Sequence, residues 1–226
     1  MQGKVIVVTG ALGALGKVVA EVAQSRGARI AGIDYAPSQM PATPERIEIG
    51  GVDLSDAAQA KTAVEAAARH FGKLDVLVNI AGGFAFETVG DGDIKTWQRM
   101  HALNLLTALN ASHAALPHLA ASTAGRIVNI GAMGALQAGS GMGPYAASKA
   151  GVHRLTEALA SEWKGKVTVN AVLPSIIDTK ANRADMPTAD FAKWVTPQEL
   201  AEVILFLASD AASGVTGALI PVSGRV

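Results

Sequence analysis

Val5-Ile6-Val7-Val8-Thr9-Gly10-Ala11-Leu12-Gly13-Ala14-Leu15-Gly16 is the stretch on which the fold turns. An apolar, β-branched run of strand length passes straight into a glycine-rich turn and then into a helical pattern, Leu15–Arg26, closed by Gly27. The same alternation continues to the end of the chain. Strands are predicted at Lys4–Val8, Arg29–Ile33, Arg46–Ile49, Leu74–Asn79, Arg126–Ile130, Val167–Leu173 and Ala218–Val222. Helices are predicted at Asp56–Phe71, ending on Gly72, at Ile94–Leu119, at Tyr145–Lys164 and at Thr196–Ser209. Short buried strands separated by helices imply an α/β fold, a doubly wound (Rossmann) arrangement with a seven-stranded parallel sheet and helices on both faces.

Some segments break the pattern. Tyr35–Glu45 is short and holds Pro37, Pro41 and Pro44, so no full crossover helix is expected between the second and third strands. Pro117 is expected to break or tighten the last turn of the long helix. The last helix opens on Thr196, Pro197 and Glu199, a capping box with Pro in the first helical position. Asp178–Val195 is polar, contains Pro187 and lacks periodicity, which reads as a substrate loop or small lid at about 178–195.

The composition suits one domain over residues 1–226, half apolar, with 24 glycines for tight turns. Equal numbers of basic and acidic residues give zero formal charge, so no long-range field favours nucleic acid or an anionic membrane, and a small-molecule substrate is the expected partner. Cysteine is absent, which excludes disulfides and thiolate metal sites. His70, His101, His113, His118 and His153 show no ligand spacing and read as surface or helix-packing residues, so no metal is expected. The first residues lead directly into a strand rather than a secretory leader, and no apolar run reaches spanning length; a soluble, cytoplasmic protein is the expectation.

A glycine turn between the first strand and its helix lets backbone approach a ligand closely, and the free amides at the helix start attract a pyrophosphate. Asp34 closes the second strand, where a carboxylate accepts hydrogen bonds from a ribose and repels a 2′-phosphate. Tyr35 follows, with no Arg to welcome that phosphate. NAD(H) is therefore expected over NADP(H), which stays possible because Lys17 is near in sequence. Tyr145 and Lys149 stand four apart and would share one helix face, where an ammonium is expected to favour the phenolate and lower a phenol pKa of about 10.

With that turn, Asn79-Ile80-Ala81-Gly82 after the fourth strand, Asn104 in the long helix, Tyr145-Ala146-Ala147-Ser148-Lys149 opening the next and Leu173-Pro174 after the sixth strand, the chain resembles the short-chain dehydrogenase/reductase family. The resemblance implies Tyr145 and Lys149 as catalytic, Asn104 as the holder of a proton-relaying water, and Asp53 at the adenine. It implies a nucleotide lined by Gly10, Leu12, Gly13, Ala14, Leu15 and Gly16, by Asp34, Tyr35, Asp53 and Leu54, and by Ala81, Gly82 and Gly83. Tyr145, Lys149, Pro174, Ile177 and Thr179 would complete that lining at the nicotinamide end. It also implies a homodimer or homotetramer built on the helices at 94–119 and 145–164.

Departures from the family pattern narrow the substrate. Ala14 stands where the phosphate turn has Gly, with Gly13 before it, and Ser175 follows Pro174 where Gly is commoner. Thirteen residues before Tyr145, where the family has a substrate-polarising Ser, stands Ala132. Losing a donor at a developing oxyanion typically costs about 10²–10³ in turnover; Ser140 or Gln137 could substitute. Gly13-Ala14-Leu15-Gly16, Ala81-Gly82-Gly83-Phe84, the missing Ser, and Asp178-Thr179, Asn182-Arg183, Met186-Pro187, Ala189-Asp190-Phe191 and Trp194 after Leu173-Pro174 resemble the quinoid dihydropteridine reductase branch. That resemblance implies hydride transfer to a conjugated C=N or C=O, with Phe84, Ala132, Gln137 and Trp194 at the substrate. A general ketone, aldehyde or imine reductase, and a non-catalytic nucleotide-sensing or scaffolding protein, remain the alternatives.

Overall fold

The computed structural model describes residues 1–38 and 40–226. Seven strands form one all-parallel sheet: β1 (Val5–Thr9), β2 (Arg29–Ile33), β3 (Arg46–Ile49), β4 (Val76–Asn79), β5 (Gly125–Ile130), β6 (Val167–Pro174) and β7 (Leu219–Val222). Their order across the sheet is β3-β2-β1-β4-β5-β6-β7. The order reverses at β1, where chain leaves to one side for β2 and to the other for β4, and such a switch point opens a crevice at the carboxyl ends of the strands.

Alternate residues of the central strands feed two cores, because successive side chains point to opposite faces. Val5, Val7, Leu77, Ile127 and Val169 pack with α2 (Ala57–Phe71), α4 (Thr107–Ala121) and α5 (Gly143–Glu162). Ile6, Val8, Val76, Val78 and Val128 pack on the other face with α1 (Ala14–Ser25) and α7 (Pro197–Leu207). Burial on both faces explains why these strands read as unbroken apolar runs.

The helix ends follow their local chemistry. Gly27 and Gly72 stop α1 and α2 at φ +81° and +76°, a conformation that an L side chain resists. Asp56 caps α2 by accepting from the amides of Ala58 and Gln59, and the Thr196–Glu199 capping box is present on α7. No helix fills the described residues between β2 and β3.

Three expectations need correction. The stretch 94–121 is not one α-helix: α3 (Ile94–Met100) passes into a π-helical segment, His101–Leu106, and then into α4. Pro117 does not break α4, which runs through it to Ala121, although the last turn closes tightly, the Ser122 amide donating to the Leu119 carbonyl. The segment 178–195 is more ordered than a loop, with α6 (Lys180–Asp185), a 3₁₀ turn at Phe191–Lys193 and a parallel bridge from Ile177 to Val195.

The amino ends of the strands are tied together by charge. The Asp75 carboxylate accepts from the Val5 amide at 2.9 Å and from Ser122 Oγ at 2.7 Å, and pairs with Lys73 at 2.7 Å. Nearby, Lys4 pairs with Asp210 at 2.7 Å.

Candidate active site

Gly10 turns the chain out of β1 at φ +65°, and a Cβ there would lie 3.0 Å from the backbone of Ala81. A Cβ on Gly16 would lie 2.1 Å from the Gly10 carbonyl oxygen, so α1 abuts the turn with no room for a side chain. Gly13 precedes α1 and offers no side-chain cap, which leaves the first-turn amides of Ala14, Leu15 and Gly16 without helical partners and open to a phosphate. Asp34 lies beside this turn, accepting from the Leu12 amide at 2.8 Å and from the Ala36 amide at 2.9 Å. Tyr35 is exposed beside it. Asp53 braces its own turn by accepting from Ser55, and Leu54 is buried against the core. These residues fit a dinucleotide: an amide-rich cradle, a fixed carboxylate at its ribose end and a floor of glycine.

The second half of the site forms where β4, the π segment and α5 meet. A methyl on Gly82 would sit 2.5 Å from Asn104 Oδ1 and 3.5 Å from Lys149 Nζ, so the bare backbone there lets those two groups converge. The Gly83 amide donates to Asn104 Oδ1 at 2.9 Å, while Asn104 Nδ2 donates to the Gly83 carbonyl at 3.1 Å and to Ser148 Oγ at 2.9 Å. Ser148 in turn donates to the Tyr145 carbonyl at 2.7 Å. Asn104 therefore ties the Ala81–Gly83 turn to the first turns of α5, and the π segment is what aims it inward. Sequence reasoning missed Ser148 as a partner, although it lies within the Tyr–Lys motif.

Lys149 Nζ donates to the Ile130 carbonyl at 2.7 Å and is almost wholly buried. Burial drops its pKa to about 8 and raises the Tyr145 phenol to about 12. This reverses the expected lowering of the phenol: the cost of charging a desolvated hydroxyl outweighs any help from an ammonium that is itself discouraged from charging. Phe84 leans edge-on against Tyr145, ring centres 5.0 Å apart, and stays half exposed at the mouth. Phe86, Leu136 and Gln137 are exposed in neighbouring segments, which are joined where the Glu87 amide donates to the Gly141 carbonyl at 2.8 Å.

Ala132 follows β5 and is buried, its amide directed to His153 Nε2 at 3.3 Å. Neither Ser140 nor Gln137 makes a side-chain hydrogen bond that would fix it as a substitute donor, among the described residues. Pro174 ends β6, Ile177 bridges to Val195, and Thr179 caps α6 by accepting from the Asn182 amide. Trp194, expected at the substrate, is 3% exposed and lies tilted against Phe191 with ring centres 4.9 Å apart, an arrangement that removes its large apolar ring from water. Among the described residues no cluster of three His, Cys, Asp or Glu side chains is placed to hold a metal ion, and no helix is long and apolar enough to cross a membrane.

Comparison with known proteins agrees with this geometry. Residues 4–190 match the short chain dehydrogenase family. The chain is 32% identical to a 3-oxoacyl-[acyl-carrier-protein] reductase of Thermotoga maritima, over 99% of this chain and 98% of that protein. It superposes with TM-score 0.90 on a short-chain dehydrogenase/reductase from Brucella melitensis, 29% identical, covering 99% of this chain and 96% of the other. It superposes with TM-score 0.87 on a carveol dehydrogenase from Mycobacterium avium in complex with NAD, 28% identical, covering 99% and 97%. The chain belongs to the short-chain dehydrogenase family and is an NAD(P)-dependent oxidoreductase.

Proposed function

We propose that this protein is an NADH-dependent reductase of conjugated C=N or C=O acceptors, of the kind exemplified by quinoid dihydropterins. The observation that carries the reading is Ala132, which puts a methyl where a hydroxyl would otherwise meet the reacting oxygen. An acceptor whose charge spreads over a ring needs less help at one atom than a simple ketone does.

The bound dinucleotide supplies the hydride. Tyr145, its phenol pushed up to about 12 by burial, is protonated through neutral pH, and we assign it as the proton donor that reduction needs. Lys149, by the family's pattern, would hold the nucleotide ribose and resupply the proton. Asn104 keeps the Gly83 turn and α5 in register, and we assign it the family's relay position as well. The half-exposed Phe84 offers its ring to a flat substrate. Asp34, fixed by two amides, favours a free ribose hydroxyl over a 2′-phosphate. Exposed Ile94, Leu103 and Leu109 on the 94–121 stretch support self-association as a homodimer or homotetramer, to be checked by sedimentation.

A second reading, a general carbonyl reductase, is favoured by the activity in the name of the Thermotoga relative. Assaying NADH and NADPH oxidation with ketones, aldehydes, cyclic imines and quinoid dihydropterin separates the two. Ala132→Ser sharpens the contrast: turnover of simple ketones should rise about 10- to 100-fold, with little gain on the conjugated acceptor. Efficient ketone reduction by the unaltered protein, with none of dihydropterin, would reject the first reading.

A further inference from the structure

His153 has no part in the chemistry above, yet it is 2% exposed and lies one helical turn beyond Lys149 on α5. Its Nε2 receives the Ala132 amide at 3.3 Å. The neighbouring backbone is shaped to admit the ring, since a Cβ on Gly131 would lie 2.5 Å from His153 Nε2. The exit of β5 is thus held at three consecutive residues. Lys149 Nζ donates to the Ile130 carbonyl at 2.7 Å, the Gly131 amide donates to the Val172 carbonyl at 2.9 Å, and the Ala132 amide donates to His153. An amide can donate only to an unprotonated ring nitrogen, which assigns the proton of the neutral ring to Nδ1. Burial, followed by the charges of Arg154 and Lys149, keeps the imidazole pKa below its ordinary value, consistent with that state.

We propose that His153 is a positioning residue of this oxidoreductase: as the Nδ1–H tautomer it accepts the Ala132 amide and, with Lys149, fixes the β5 exit where Tyr145 and the substrate must meet. α5 then carries three working side chains at a spacing of four, Tyr145 for the proton, and Lys149 and His153 for the clamp. The inference rests on the family-level activity and not on which acceptor is reduced.

Three variants and one spectrum test it. His153→Leu keeps the bulk and removes the acceptor; His153→Gln places an amide oxygen near the position of Nε2. With the best acceptor in the panel above, His153→Leu should lower kcat roughly 10- to 100-fold, leaving the NADH Kd and the melting temperature near those of the unaltered protein. His153→Gln should recover most of that loss. Gly131→Ala, which drives a methyl against the ring, should behave like His153→Leu. Unchanged kcat in His153→Leu, or a Gln variant as slow as the Leu variant, would overturn the proposal. If His153→Leu fails to fold, or no acceptor is turned over, long-range ¹H–¹⁵N correlation of the labelled protein decides without substrate. An unprotonated Nε2 supports the assignment, and a proton on Nε2 refutes it.

Discussion

Burial acts on the pKa values of Tyr145 and Lys149 in opposite directions. A phenol raised to about 12 and an amine lowered to about 8 are both biased toward the neutral form. Tyr145→Phe removes the only hydroxyl of that ring; turnover should fall about 10²–10⁴-fold while NADH binding, followed by fluorescence, persists. Lys149 also leaves a mark on stability. Its folded pKa lies below the 10.5 of an ordinary lysine, so the unfolded chain binds the proton more tightly. The contribution is complete above about pH 10.5 and lost as pH falls through about 8. Lys149→Met should therefore lack a gain of roughly 3 kcal/mol that the unaltered protein shows between those limits in denaturant titrations. Tyr145 works the other way only from pH 10 upward, where its raised pKa costs stability as the unfolded phenol ionises first. The placement of Tyr145 and Lys149 on one helix and of Asp34 at the end of β2 was legible because it follows from residue type and spacing. His153 was not, since a buried histidine and an exposed one look alike in a sequence; its place four after Lys149 was the available signal. The burial of Trp194 was hidden for a related reason: an aromatic near a site fills a core as readily as it binds a ligand.

At the level of elements, boundaries written in capping chemistry were legible to within a residue or two. Gly27, Gly72, Asp56 and Thr196 each satisfy or end a helix through their own atoms, and the structure uses all four in that way. Thr196→Ala should cost about 1 kcal/mol, visible as a lower urea midpoint with an unchanged slope. The π segment at 101–106 was hidden, because an apolar pattern running from Ile94 to Leu119 does not record a change of ladder within it. Pro117 leaves α4 unbroken because the burial of Ala111, Ala115, Leu116 and Leu119 holds the helix through one lost ladder bond. The helix and 3₁₀ turn within 178–195 are too short to declare a period, and their caps, Thr179 and Asp190, were the readable trace.

Across the whole molecule, the parallel sheet puts every proposed working residue at the carboxyl ends of its strands or on the helices that follow them. The opposite rim is occupied by Asp75, Lys73, Ser122, Lys4 and Asp210. Asp75→Ala would leave the Val5 amide and Lys73 without their acceptor. It should lower the free energy of unfolding by about 1–3 kcal/mol, read from urea denaturation, with kcat intact. The overall arrangement was legible because alternation of strand and helix has few solutions, whereas this fastening depends on charges distant in sequence. Separating the two rims has an evolutionary reading. Mutations that explore new acceptors fall on one side of the sheet, away from this fastening, so specificity can drift in such a chain while the opposite rim keeps its hold on shape.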